Sequence, residues 1–275
     1  MYICDDDLLV AKTLEQCVQF LNNNPDFSAV SGIVIHCRIR AEGTINKIEG
    51  IAEGPLYEME SDSARQRLLD LFTNYNVVAY SLARTGQFKE RWPLDSSFSD
   101  ASFPAEMLPC GMLVAQGKCK KLDRLFVVRQ IHEQRYLMPD IFDWLTSPQW
   151  LYSYKIFADR LADELAKQDN VPIAEAREVI KQAFWSYLAN GMMRKWQGHY
   201  AQNGSGLYSE LRGLARRIPG LRSTWQKVCS FLPGEDNKMS LEALLRPSSP
   251  YHDDFMPIYR AITTPVPELN ELRPE

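Results

Sequence analysis

Apolar positions recur at two different periods along this chain, and the change from one to the other divides it. Residues 2–4 are a short run that ends in Asp5-Asp6-Asp7 and read as the end of a strand. From Leu8 the spacing turns helical: Leu9, Thr13, Cys17, Phe20 and Leu21 fall on one face, and Asn22-Asn23-Asn24-Pro25 stops that helix. Residues 27–39 predict a strand rich in β-branched side chains (Val30, Ile33, Val34, Ile35, Ile39), with Gly32 marking a close backbone approach. The acidic, glycine-bearing stretch 41–60 predicts a hairpin or a mobile loop. A helix is expected over 62–75, with Ala64, Leu68, Leu71 and Phe72 inward and Ser61 or Ser63 as cap. Further expectations are a strand at 77–83, a helix or turn at 85–92 and a polar loop at 95–103. They continue with a helix at 106–116, a turn at Gly117-Lys118 and a strand at 122–129.

After about Pro139 the helical period dominates. Ser147-Pro148 reads as a cap followed by proline at the first helical position, ahead of Leu151, Tyr154, Phe157, Leu161 and Leu165. A second long helix is expected from Pro172, with Ile173, Ile180, Phe184, Leu188 and Met192. Shorter ones are expected at 207–217, 221–231, 241–245 and 254–262, followed by an extended tail. The pattern thus predicts an α/β part over 1–138 and a helical extension over 139–275. Trp185 and Trp196 sit at helical spacing and read as core, although with Tyr200 they could line a sugar site by stacking.

Composition narrows the function classes. The 275 residues are 45% hydrophobic, enough for a sizeable core, and the net charge of -4 gives no electrostatic case for nucleic acid. Basic clusters at Lys118–Lys121 and Arg212–Arg222 read as solvated faces. The six cysteines (Cys4, Cys17, Cys37, Cys110, Cys119, Cys229) show no CxxC spacing and suit free thiols in a reducing compartment. No apolar run approaches a membrane span, and Met1 is followed by acids rather than by a signal sequence, so a cytoplasmic location is expected. The four histidines lie far apart without zinc spacing, and neither a Gly-rich phosphate loop nor GxSxG occurs.

The candidate chemistry therefore concentrates in Asp5-Asp6-Asp7. Adjacent carboxylates repel one another, and a hard divalent cation such as Mg²⁺ or Mn²⁺ relieves that repulsion. A helix N-cap explains one aspartate but not three. An acid cluster before a helix also suits a receiver domain, but 45–60 supplies glutamates and no aspartate as phosphoacceptor. A haloacid-type phosphatase needs Thr or Val where Leu9 stands.

Asp5-Asp6-Asp7, the helix after it, Asn24-Pro25-Asp26 and the strand Ser28-Ala29-Val30-Ser31-Gly32 resemble the central part of family-two-like glycosyltransferases, which have the GT-A fold. Arg84-Thr85, Glu106 in Phe103-Pro104-Ala105-Glu106, and Gly117-Lys118 extend the resemblance over about residues 1–138. The resemblance implies an α/β, partial GT-A mixed sheet lacking its first strands, because such folds place about a hundred residues before this motif. An exposed sheet edge open to self-association is then expected. It implies metal-dependent, inverting transfer from a nucleotide-sugar to a glycan, lipid or protein acceptor. Asp5 would contact the nucleoside, Asp7 the Mn²⁺ or Mg²⁺ ion with Asp5 beside it, and Asp6 would assist either. Glu106, or as second choice Asp100, would be the general base. Arg129, His132 and Arg135, in a stretch resembling the family's Q-x-x-R-W motif, would face the diphosphate. The alternative is a truncated or inactive nucleotide-sugar-binding module.

Overall fold

The computed structural model describes residues 1, 3–42, 45–54, 58–91, 98, 100–132, 139–203 and 239–264. The chain is mixed α/β, built on a five-stranded mixed sheet. In order, β1 (Leu8–Leu9), α1 (Ala11–Asn23), β2 (Phe27–Glu42) and β3 (Ile45–Glu53) lead to α2 (Ala64–Thr73). A 3₁₀ turn (Val78–Tyr80), β4 (Leu82–Ala83) and α3 (Thr85–Arg91) follow. Next come a π-helical turn (Phe103–Met107), α4 (Leu108–Gln116) and β5 (Lys118–Gln130). The helices α5 (Ile141–Leu145), α6 (Trp150–Asp169), α7 (Ile173–Asn203), α8 (Leu241–Leu245) and α9 (His252–Thr263) complete it.

The strand order is β1-β5-β2-β3, with β4 also on β2. β5 and β2 run parallel and all other pairs antiparallel. Of the two expectations for 41–60, the described residues of β2 and β3 favour the hairpin, since Ile35 to Glu42 pair with Glu53 to Ile45. Gly32 sits at a register shift against β5, and a Cβ there would meet the Arg124 carbonyl oxygen and Phe126 Cβ. The predicted close approach is therefore real.

Two local expectations are corrected. Of the expected strand end at 2–4, the described residues Ile3 and Cys4 are not in a strand. Cys4–Asp7 is a turn, closed by the Asp7 N–H on the Cys4 carbonyl at 3.2 Å, and the strand is Leu8–Leu9 behind it. The helix consequently begins at Ala11. The stretch 77–83 is mostly a 3₁₀ turn, with only Leu82–Ala83 paired to β2. The expectations at 207–217, 221–231 and most of the tail lie outside the described residues.

Alternation along β2 sends Ile33, Ile35 and Cys37 to one side of the sheet, where α9 lays Phe255, Ile258 and Ile262 over them. Val30 turns the other way, under Cys17 and Leu21 of α1. The largest core lies among α2, α4, α6 and α7. There Phe72, Phe103, Phe157 and Phe184 meet at ring separations of 4.8 to 6.4 Å. α6 and α7 thus bury Phe157, Leu161, Leu165 and Phe184 against the same core as Leu68, Phe72 and Leu113. Trp185 and Trp196 depart from the core expectation: they are 62% and 61% exposed, because the buried stripe of α7 runs through Ala176, Ile180, Ala183 and Phe184 instead. Among the described residues no helix is long and apolar enough to cross a membrane, and Cys4, Cys17, Cys37, Cys110 and Cys119 form no disulfide.

Candidate active site

The acid cluster reaches the carboxyl edge of the parallel pair by an indirect route. Leu8 pairs with Val128 and Leu9 with Val127, antiparallel to β5. The turn ahead of β1 is therefore delivered to the end of β5, where Arg129 and His132 lie. The acids precede their strand rather than follow it. Aspartate suits such a turn, since its short side chain accepts bonds from nearby backbone.

Asp7 is the buried member of the cluster. Its side chain is 3% exposed and its Oδ2 lies 3.3 Å from Arg129 Nε. Burial raises its proton affinity and the charge of Asp6 adds to this, while Arg129 and the Cys4 backbone N–H oppose it. Arg129 in turn rests on the Tyr80 ring, with 4.3 Å from guanidinium carbon to ring centroid. Burial works against its charge, but Asp7, Tyr80 and Cys4 outweigh burial and raise its pKa. The Tyr80 hydroxyl is held in its neutral form, chiefly by burial and then by Cys4, whose thiol lies 3.8 Å away. Asp6 meets His132, with Nε2 and Oδ2 at 2.8 Å.

Cys4, Asp6 and Asp7 each bring one ligand atom to within 4.8 Å of the others. Asp5, expected to share the metal with Asp7, stands apart from this group and is exposed at the tip of the turn. Cys4, rather than Asp5, lies with Asp6 and Asp7. The only hint of Cys4 in the sequence is adjacency to the acids, and nothing there points to Tyr80. Arg135 lies outside the described residues.

Glu106 occupies the π-helical turn that leads into α4, a kind of irregularity often found at functional positions. Tyr75 Oη donates to Glu106 Oε1 at 3.1 Å. Burial raises the Glu106 pKa, against the Tyr75 hydrogen bond and the charge of Arg129. Arg129 is thus near enough to bias both Asp7 and Glu106. Asp100 acts on the backbone instead. Its Oδ1 accepts from the N–H groups of Ser102 at 2.8 Å and Phe103 at 3.3 Å, and so caps the turn that carries Glu106.

The basic cluster at Lys118–Lys121 is neutralised. Lys118 meets Asp26 and Asp62, Lys120 meets Glu58 and Glu60, and Lys121 meets Glu53, all at 2.6 to 3.1 Å. A cleft of about 280 Å³ opens between Lys121, Asp123 and Tyr251. It is six residues down β5 from Arg129, roughly 20 Å away, and does not belong to the acid cluster.

Comparison with protein-family models, curated proteins and solved structures finds no match.

The donor set fits a divalent cation in part. Two carboxylates suit Mg²⁺ or Mn²⁺, whose other positions water or phosphate oxygens commonly fill. Burial, and after it the charge of Asp6, raise the proton affinity of Asp7, and a bound cation would favour its charged form against both. The thiol of Cys4 is a softer donor than Mg²⁺ prefers.

Proposed function

We propose that the chain is a metal-dependent glycosyltransferase that moves a sugar from a nucleotide-sugar to an acceptor hydroxyl, with inversion, on a partial GT-A sheet. One observation carries this reading: a carboxylate pair, Asp6 and Asp7, stands beside cationic Arg129 and within reach of His132 at one strand edge. A nucleoside diphosphate offers matching chemistry, with oxygens for the cations and for a shared metal ion. Asp6 and Asp7 would hold the ion, which when bound neutralises charge on the departing diphosphate. Arg129 donates hydrogen bonds to the same oxygens, in a site where Tyr80 has already fixed its guanidinium plane. Glu106 accepts the proton of the acceptor hydroxyl as the new bond forms at the anomeric carbon and the bond to diphosphate breaks. The raised affinity of Glu106 for a proton suits a general base.

A binding module without turnover is the second reading. The Arg129–Asp7 pair favours it, since it satisfies Asp7 without any metal ion. Calorimetric titration with a panel of nucleotide-sugars and Mn²⁺ separates these readings. The transferase reading expects Mn²⁺-dependent binding that Asp7→Asn abolishes, with slow sugar release from the donor. Binding that ignores both Mn²⁺ and the substitution sinks the metal assignment. Binding without any sugar release favours the module.

A further inference from the structure

The acid cluster contains a donor that the two aspartates do not explain. Carboxylate oxygens bind Mg²⁺ and the first-row transition ions alike, whereas a thiolate discriminates sharply among them. Cys4 Sγ, an Asp6 oxygen and an Asp7 oxygen all lie within 4.8 Å of one another. Two donors on one ion at the usual sulfur and oxygen distances lie about 3 to 4.4 Å apart, depending on the angle between them, so the three atoms are close enough for side-chain rotation to bring them onto one ion. The turn itself sets this spacing, through the Asp7 N–H bond to the Cys4 carbonyl at 3.2 Å. The thiol is aimed at the same side as Tyr80, its neighbour at 3.8 Å, and Tyr80 is held by Arg129, the partner of Asp7. Asp6 is steadied from outside by His132 at 2.8 Å, as outer partners commonly orient metal-binding carboxylates.

We propose that Cys4 is a third ligand beside Asp6 and Asp7, and that the centre therefore takes Mn²⁺, Co²⁺ or Zn²⁺ in preference to Mg²⁺. This rests on reading the cluster as a cation site but not on sugar transfer. Cys17, Cys37, Cys110 and Cys119 are buried, and among the described residues Cys4 is the cysteine grouped with Asp6 and Asp7.

The test uses the full chain, reduced, with Co²⁺ alone as probe. Co²⁺ bound to a thiolate shows a near-ultraviolet charge-transfer band that oxygen ligands do not produce. The band should saturate with one ion per chain, vanish in Cys4→Ser and persist in Cys229→Ser. Calorimetry should show Co²⁺ bound at least about tenfold more weakly by Cys4→Ser, with Mg²⁺ affinity changed by less than about twofold. Co²⁺ bound without the band, a band that survives Cys4→Ser, or no Co²⁺ binding at all overturns the proposal. Mn²⁺-dependent nucleoside diphosphate binding is measured separately. If it is present without the band, the transferase reading stands and Cys4 is no ligand. If the band is present without it, the reverse holds.

Discussion

Arg129 and Asp7 lock the two chain segments of the candidate site together. Nε and Oδ2 are 3.3 Å apart, the carboxylate is 3% exposed, and the guanidinium is pinned against Tyr80. A carboxylate so enclosed depends on its partner. Arg129→Ala is expected to lose on the order of 3 kcal/mol of stability, because it strands a buried charge. Urea unfolding measures this. The double variant Asp7→Asn with Arg129→Met should regain most of the loss. If the single variant is as stable as the parent, the pair is an ornament of the surface rather than a joint.

Glu106 should matter more for chemistry than for folding. Glu106→Gln keeps an oxygen to accept from Tyr75 but removes the base. Nucleotide-sugar binding should survive, and transfer should fall by roughly 10²–10⁴-fold. Its effect on stability has a definite sign. Burial raises the Glu106 pKa above 4.5, so between 4.5 and that raised value the folded chain holds more protons than the unfolded one. Stability from this residue therefore declines as pH rises through that window, and the cost is complete above it. Glu106→Gln escapes the cost, so it should melt higher than the parent at pH 7 and lose that lead as pH falls toward 4.5. A lead that grows on acidification instead would mean that Glu106 is stabilised as an anion.

The sequence was most legible where one period ruled. The strand over β2, the helices α2 and α7, and the close approach at Gly32 follow from local pattern. What it could not show depends on partners far along the chain. The acids of the opening turn face Arg129 and His132, more than a hundred residues on, only because β1 runs antiparallel to β5. Trp185 and Trp196 have helical spacing, yet the face of α7 that is buried is the one through Ile180, Phe184 and Leu188, where Phe184 meets Phe72 and Phe157, and it leaves both tryptophans outside. Asp100 read as the second choice for the general base, and its bonds to the backbone of Ser102 and Phe103 needed the turn there to be seen.

Arg67 is another residue whose role is invisible in one dimension. It is 4% exposed and sits among apolar residues of α2. Its guanidinium donates to four carbonyls: Val114 and Ala115 at the end of α4, each at 2.8 Å, and Ser61 and Asp62 before α2, at 2.7 and 2.9 Å. The side chain thereby completes the C-terminus of one helix and the N-terminal approach to another. Arg67→Ala should cost about 3–5 kcal/mol, since several buried acceptors lose a charged donor at once. Arg67→Lys keeps the charge but loses the fork and should recover only part of it. Chemical denaturation of the two variants checks the order. If lysine restores full stability, charge rather than geometry is what α4 requires.

Gly32 tests how the parallel pair was made to fit. The register shift beside it brings the Arg124 carbonyl and Phe126 Cβ against the space where a side chain would begin. The obstacle is backbone, which cannot rotate aside. Gly32→Ala must push β2 and β5 apart in the middle of their pairing, at a cost of about 1–3 kcal/mol or more. Gly50, in β3, has open space at the same point and serves as the control, since Gly50→Ala should change stability little. Displacing β5 should also shift Arg129 relative to Asp7, so Gly32→Ala should weaken Mn²⁺ binding even where the chain remains folded. Calorimetry at a temperature well below the melting point isolates that effect. Unchanged Mn²⁺ affinity in a folded Gly32→Ala chain would mean that the acid turn holds its geometry independently of the central strands.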